Sequence, residues 1–429
     1  MNTQNSKPMK AKSLASKITP MALVIASAIG ASTAQAVLNV QCPGDDGIGA
    51  GAVKGDAIVD NTSASYSNVL CYHLSASDGY INLPDETQPG SNRNLYFFSY
   101  NDLTGMTDPA DNTKPIDPPT AGQLRSKLPA PTVIGKEGQE LYLTLSNVGM
   151  QVRPDLPDAH TVHYHGFPQA SAIYDGVPSA SISPNSMASF TYYYNLVEPG
   201  TYIYHCHFEA TEHMQMGMIG NLWIEPKQND ISPGTSLSGY IHQTGDKYVY
   251  NDSDGSTVYQ KEYPVQIIAF DGEFHDASES ITALPFASME DKYPMINGRG
   301  YPDTVDPAGI SNKEGYEAQD MSSLISATAG EKILLRLSNV SVINAYTMTA
   351  PGLTLELVGR GARVYRGANN ENLHQKTSQV TVAGGDVFEV IINTAGVTPG
   401  TYFLYTTNLN ALSNDQEDNG GLMTEIMIN

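Results

Sequence analysis

Charge is scarce in this chain, with 16% of its 429 residues ionisable as Asp, Glu, Lys or Arg. The long runs of Ala, Glu, Lys and Leu that build amphipathic helices are missing. No G-x-S-x-G turn, no H-E-x-x-H helix, and no phosphate- or dinucleotide-binding glycine signature between a strand and a helix is present. These absences exclude the serine hydrolase, zincin, P-loop and nicotinamide-dependent readings. Basic residues are few, 23 against 45 acidic ones, for a net charge of −22. Such a surface repels nucleic acid and anionic lipid, keeps an exported protein in solution, and suits a cationic partner such as a basic electron carrier or a metal ion.

What is plentiful is Gly, at 38, and Tyr, at 25, a composition of short strands joined by turns, which predicts an all-β fold. The length predicts two or three folding units. Residues 1–36 read as a signal peptide: Lys7, Lys10, Lys12 and Lys17 precede an apolar run from Met21 to Ala31, and Ala34-Gln35-Ala36 has the small-x-small cleavage pattern. That run is short for a bilayer span, so a periplasmic or secreted protein with no membrane span in its mature chain is expected. Of three cysteines, Cys42 and Cys71 are expected to pair in the oxidising compartment, and Cys206 is left over.

The sequence repeats itself. Gly138 to Val148 returns as Gly330 to Val340, Pro199-Gly200-Thr201-Tyr202 returns as Pro399-Gly400-Thr401-Tyr402, and Gly217-Met218 is matched by Gly421-Leu422 before a closing strand. Three matches in one order predict two copies of one β-sandwich domain. The expected division is a leader at 37–92, a first sandwich at 93–226, a polar linker with a hairpin at 227–262, and a second sandwich at 263–429. Chemistry-bearing residues do not repeat. Copy one has His205-Cys206-His207 where copy two has Tyr405-Thr406-Thr407, and its His160 to Gly166 segment meets Asn344 to Thr349, which holds no histidine.

Six of the ten histidines fall in two short clusters of copy one: His160, His163 and His165, then His205, His207 and His213 around Cys206. A blue copper centre needs two imidazoles, one thiolate and a weak axial thioether. Cys206 at a strand end, His213 across the loop and Met218 before the next strand supply three of these, and His160 the fourth. Met214 and Met216 compete with Met218 for the axial place.

His160-x-x-His163-x-His165-Gly166 together with His205-Cys206-His207 and His213-x4-Met218 resembles the multicopper oxidase family, and the resemblance extends over both sandwiches. It implies tandem cupredoxin-like Greek-key β-sandwich domains and type 1 copper held by His160, Cys206, His213 and Met218. It also implies that His163, His165, His205 and His207 face a second copper site, the type 2/type 3 cluster. Two features depart from the family pattern. Six residues separate Cys206 from His213 where many members have four, and the eight histidines of a trinuclear cluster are not here, since copy two has no His-x-His. The remaining histidines, His73, His242, His275 and His374, are scattered and read as surface or loop residues.

Three accounts of the spare imidazoles stay open at this level: a single type 2 copper, completed by a neighbouring chain's histidine as in nitrite reductases; a pairing with the same four from a symmetry mate in a homo-oligomer; or relics. Burying four imidazoles without a metal or other partners is costly, which favours occupancy.

The expected function is an exported copper-dependent oxidoreductase that takes single electrons at type 1 copper and passes them through Cys206 to His205 or His207. Its donor would be a phenol, a metal ion or a small redox protein, and its acceptor oxygen or another oxidant. The alternatives are a single-copper electron carrier, a nitrite-reductase-like type 1/type 2 enzyme, and a copper-binding protein using Met214, Met216 and Met218. Asp175 is expected to form an Asp-Gly turn with Gly176, and Glu209 and Glu212 to be solvated loop carboxylates or to meet a cationic donor.

Overall fold

A computed structural model describes residues 38–84, 92–415 and 417–429; the expected signal peptide at 1–36 lies outside the described residues. The first sandwich is built from β1 (Val69–Pro84), β2 (Asn92–Asp102), β3 (Val133–Lys136), β4 (Glu140–Asn147), β5 (His163–His165), β6 (Ala188–Asn195), β7 (Gly200–His205) and β8 (Ile219–Glu225), with one helical turn, α1 (Ala210–Gln215), between β7 and β8. Its two sheets run β2-β1-β4-β6 and β3-β8-β7-β5.

The second sandwich uses β9 (Lys261–Phe270), α2 (Gly272–Glu279), β10 (Tyr293–Ile296), β11 (Ile325–Ala327), β12 (Lys332–Asn339), β13 (Tyr346–Thr349), β14 (Leu355–Arg360), β15 (Arg363–Val364), β16 (Gln375–Thr377), β17 (Gln379–Val382), β18 (Val387–Asn393), β19 (Gly400–Thr406) and β20 (Met423–Ile428). One sheet runs β10-β9-β12-β18-β14-β15, with β16 also on β14, and the other β11-β20-β19-β13-β17. Four consecutive strands of each sheet match the first sandwich in order and direction. In particular β1 lies parallel to β4 and β9 parallel to β12. The repeated turn glycines, Gly138 and Gly330, both have positive φ, 94° and 101°, where a side chain would be strained.

This match corrects the division expected from sequence. Residues 37–92 are more than a leader: they carry β1, an interior strand between β2 and β4, so the first sandwich begins near Val69 as the second begins near Lys261. The strand went unread because Ser75, Ser77 and Asp78 lie within it, all buried and therefore polar where a core strand is expected to be apolar. Carboxylate oxygens of Asp78 accept from the backbone N–H of Gln151 and Val152 at 2.9 and 2.7 Å, which compensates its burial. The expected linker at 227–262 holds two small two-stranded sheets and buries Tyr248, Tyr250 and Tyr259. Cys42 and Cys71 are disulfide-bonded.

Strand patterns follow their surroundings. In β20, Thr424, Ile426 and Ile428 are buried and alternate with half-buried neighbours, the period of a strand with one face in the core. All six residues of β7 are buried, because the second sandwich covers what would be its outer face. Between the sandwiches lies a shared apolar layer: Leu95, Phe97, Ile203 and Ile219 from the first pack with Ile268, Phe270, Met295 and Val387 from the second.

The scattered histidines His73, His242 and His275 are buried rather than on the surface, and His374 is half-buried. None of the four belongs to a metal-like cluster among the described residues. His73 illustrates the cost. Its Nε2 meets Ser146 Oγ at 2.9 Å, and burial pushes its pKa down to about 4. An unfolded chain takes up that proton near pH 6.5 and the folded chain does not, so stability is full above pH 6.5 and falls between pH 6.5 and 4, by roughly 3 kcal/mol at ~1.4 kcal/mol per unit. His73→Gln should flatten this acid limb in urea unfolding between pH 7 and 4.5; an unchanged slope would assign the proton uptake elsewhere.

Candidate metal centres

Three groups of side chains of the types that ligate metals, among the described residues, bring their potential ligand atoms within 4.8 Å of one another: His160 with Cys206 and His213, His163 with His165 and His205, and Asp158 with Glu209 and His213. All three lie at one end of the first sandwich, where β7 ends.

The first group is enclosed. His160, Cys206, His213 and Met218 are each at most 1% exposed. Cys206 directly follows β7, His160 lies in the segment before β5, and His213 sits on α1. The six residues between Cys206 and His213 are accommodated by this helical turn, in which His213 N–H donates to Glu209 O at 3.0 Å and Met216 N–H to Glu212 O at 2.8 Å. His213 Nδ1 is 3.1 Å from Cys206 Sγ, and the His160 and His213 rings are 5.0 Å apart.

Phe98 sets its ring edge-on to His213 at 5.3 Å, holding that imidazole in place. Thr161 N–H donates to Cys206 Sγ at 3.3 Å, and Thr161 Oγ1 accepts from His207 N–H at 2.9 Å, so one threonine ties both sites together. His160 Nδ1 is buried with no hydrogen-bond partner, an atom whose burial is costly unless something else binds it. Burial depresses both imidazoles, His213 to about 4 and His160 well below its ordinary value, with the neighbouring His213 adding to the latter; burial also lifts the Cys206 thiol to about 11.

The three methionines separate by surroundings. Met214 lines the second histidine pocket, whereas Met216 and Met218 are fully buried in the first sandwich core together with Cys206. Met218 is tied by its backbone to two members of the first group: its N–H donates to His213 O at 2.9 Å, and its carbonyl accepts from Cys206 N–H at 3.1 Å.

The second group comes from adjacent strands. Across the β5–β7 ladder His163 faces His205, and His165 faces Ile203. With His207 these imidazoles line a cavity of about 340 Å³ whose other wall is Ser341, Val342, Gly384 and Gly385 of the second sandwich. His163 Nδ1 donates to the Asp175 carbonyl at 2.6 Å, with an Asp175 carboxylate oxygen at 3.3 Å. His205 Nδ1 donates to the Cys206 carbonyl at 2.9 Å. Such bonds fix the ring and leave Nε2 for a metal. Asp175 thus does more than form a turn, and Gly176 permits it, because a Cβ there would lie 2.2 Å from the Val162 carbonyl. His205 is depressed to about 3 by burial, against its carbonyl bond, with the other imidazoles adding to the fall. In copy two the corresponding register position pairs Thr349 with Tyr405, so the strands that carry His163 and His205 in copy one carry no imidazole there.

The third group opens outward. Arg153, Asp158, Glu209 and Glu212 line a recess of about 220 Å³ closed by residues of α2 and its following loop. Asp158 Oδ2 is 4.0 Å from His213 Nε2, which is buried without a hydrogen-bond partner. Glu212 is pushed up to about 7, by burial first and then by the charges of Glu209 and Asp158. Sequence reading found Glu209 and Glu212 but missed Asp158, Arg153 and Thr161; the position of Asp158, two residues before His160, was its one available signal.

Two family models, both described as multicopper oxidase, match residues 120–229 and 270–427, together more than half of the chain. Multicopper oxidase MCE of Talaromyces pinophilus is 35% identical over 117 residues, 27% of this chain but 18% of that protein's length, so the match spans under a fifth of that curated relative. Among solved structures, the blue copper oxidase of Nitrosomonas europaea superposes with a TM-score of 0.59 at 20% identity, covering 84% of this chain and 86% of that one. The copper nitrite reductase of the same organism superposes with a TM-score of 0.51 at 14% identity, covering 84% and 94%. At these identities the superpositions establish a shared two-sandwich cupredoxin fold.

Proposed function

The chain belongs to the multicopper oxidase family, and from that premise we propose that it is an exported copper-dependent oxidoreductase taking single electrons at a type 1 copper and delivering them to a second copper site. His160, Cys206, His213 and Met218 hold the first ion in this reading, and the second lies in the cavity lined by the imidazoles on β5 and beside Cys206. The observation that carries it is the unpartnered His160 Nδ1 buried beside a buried thiol and a second neutral imidazole, a donor set of two nitrogens and one sulfur with a thioether at hand. Bound in such a set, copper supplies one-electron chemistry with little change of geometry between its two oxidation states.

The protein's own groups provide the connection. Cys206 offers its sulfur to the first site while its carbonyl accepts from His205 Nδ1 at 2.9 Å, so a single residue touches both. Among the described residues no helix is long and apolar enough to cross a membrane. Loading the full mature chain with copper and recording its visible and electron paramagnetic resonance spectra tests the reading. An intense blue band supports it; a colourless copper-loaded protein would sink it.

Electron entry is assigned to the acidic recess, where His213 Nε2 faces Asp158. Asp158, Glu209 and Glu212 favour a cationic donor, a metal ion or a basic redox protein, over a neutral phenol. Asp158→Asn with Glu209→Gln should raise KM for a cationic donor about 10-fold at low salt, with less effect at high salt, as expected of surface steering charges. KM for a neutral phenol should stay within about twofold. Equal losses for both donors would remove the recess from the entry route.

A further inference from the structure

We propose that His163, His165 and His205 form a complete site for one copper ion inside a single chain, and that the second sandwich closes this site without adding a ligand. The proposal rests on the reading of a second copper site above and specifies its size. Ligand atoms of the three lie within 4.8 Å of one another. Two nitrogens on opposite sides of one ion, with bonds of about 2 Å, stand about 4 Å apart, so the three rings need only small rotations to share it. His165 is the exposed member and has the freedom to make them. His163 and His205 are already oriented, each donating Nδ1–H to a backbone carbonyl.

His207 is the odd imidazole. Its ring lies 5.0 Å from His163, yet it falls outside the three-histidine group, so it stands beside the ion rather than on it. The facing wall is equally informative. Gly385 has φ +85°, and a Cβ built on it would lie 3.1 Å from both Nε2 and Cε1 of His165. That wall is cut back to backbone where the histidine approaches. Its other residues, Ser341, Val342 and Gly384, bring no imidazole, carboxylate or thiolate.

A trinuclear cluster of the family takes eight histidines, and this pocket has four, with its own second sandwich occupying the side from which the others would come. The residues present therefore do not fit three ions; they fit one, held by three imidazoles, with a position left open toward the cavity for a small ligand. Such a site makes two coppers per chain in all and needs no histidine from a second molecule.

Copper counting by mass spectrometry, combined with spin counting by paramagnetic resonance, tests this on the full mature chain. Two coppers per chain, both paramagnetic, with azide perturbing only the non-blue signal, are expected. His165→Ala should lower the count to one and leave the blue band, whereas His207→Ala should keep both ions. Four coppers with half of them spin-silent would overturn the proposal in favour of a coupled cluster. A second copper lost on dilution to monomers would overturn it in favour of a shared site, and a wild-type count of one would overturn it outright. In each of these cases the blue band persists, so failure here is distinct from failure of the type 1 reading, which its absence would mark.

Discussion

Cys206→Ser should abolish the blue absorption, lower the copper count by one per chain, and leave the folded structure in place. The structural tolerance follows from the neighbourhood. Cys206 is fully buried, but a hydroxyl in its place meets the Thr161 N–H, which now donates to sulfur at 3.3 Å, and His213 Nδ1, now at 3.1 Å. A buried hydroxyl with partners is cheap, whereas one without them costs ~1–3 kcal/mol.

The loss of copper chemistry follows from the ligand. A neutral hydroxyl is a poor substitute for a soft thiolate, and the weak axial thioether then has no trigonal plane to complete. Turnover with any donor should fall by more than the roughly 10–100-fold expected from losing an outer partner of a metal ligand. Visible and circular dichroism spectra of the variant check both halves. An intense blue band surviving without Cys206 would contradict the assignment, and loss of the far-ultraviolet strand signal would show that the thiol holds the fold.

The residues proposed to bind copper are legible in the sequence because their grouping is local. His205, Cys206 and His207 are consecutive, His163 and His165 alternate on one strand, and the ladder that sets His163 opposite His205 needs only those two strands to be neighbours. The repeat between Gly138 to Val148 and Gly330 to Val340 was equally local, each segment being one strand and its turn. What escaped was everything set by distant packing. β1 was hidden by buried polar residues whose partners lie some 70 positions away, as with Asp78 and Gln151. The burial of His73, His242 and His275 depends on strands and loops that no spacing announces. The recess at Asp158 is closed by residues near 280, and the wall at Gly384 and Gly385 belongs to the other sandwich. Glycines carry little signal in a sequence, yet Gly385 decides how closely His165 can approach that wall.

The second large effect expected is on stability, at a residue far from copper. Arg336, on β12, is about 1% exposed at its side chain, and it donates from Nε and Nη2 to the Glu262 carboxylate at 3.0 and 2.8 Å. Nη1 donates to Thr201 Oγ1 of β7 at 2.8 Å, and the guanidinium lies 4.8 Å from the ring centre of Trp223 on β8. Burial opposes its charge, but Tyr259 and Glu262 outweigh burial and hold the group protonated. Nearby Glu389, fully buried and raised by that burial, accepts from Thr201 N–H at 2.9 Å and also feels the Arg336 charge.

This buried cation joins both sandwiches through β7, the strand that leads into Cys206. Arg336→Met keeps most of the volume and removes the charge, leaving Glu262 with only Lys247, at 3.4 Å, as a cation and Glu389 without one. Breaking a buried pair in this way costs ~3–5 kcal/mol, whereas replacing all of its members by neutral groups is often close to neutral. Urea unfolding should therefore show Arg336→Met destabilised by about that amount, with much of the loss recovered when Glu262→Gln and Glu389→Gln are added. Because both sandwiches meet at this residue, the single variant should also retain less copper at the second site, whose far wall is Gly384 and Gly385, than at the first, which is enclosed within one sandwich. Stability within 1 kcal/mol of the parent, about the scatter of an ordinary surface substitution, would mean that the other contacts between the sandwiches, the apolar layer around Phe97 and Phe270 and pairs such as Arg93 with Asp276, hold them without Arg336.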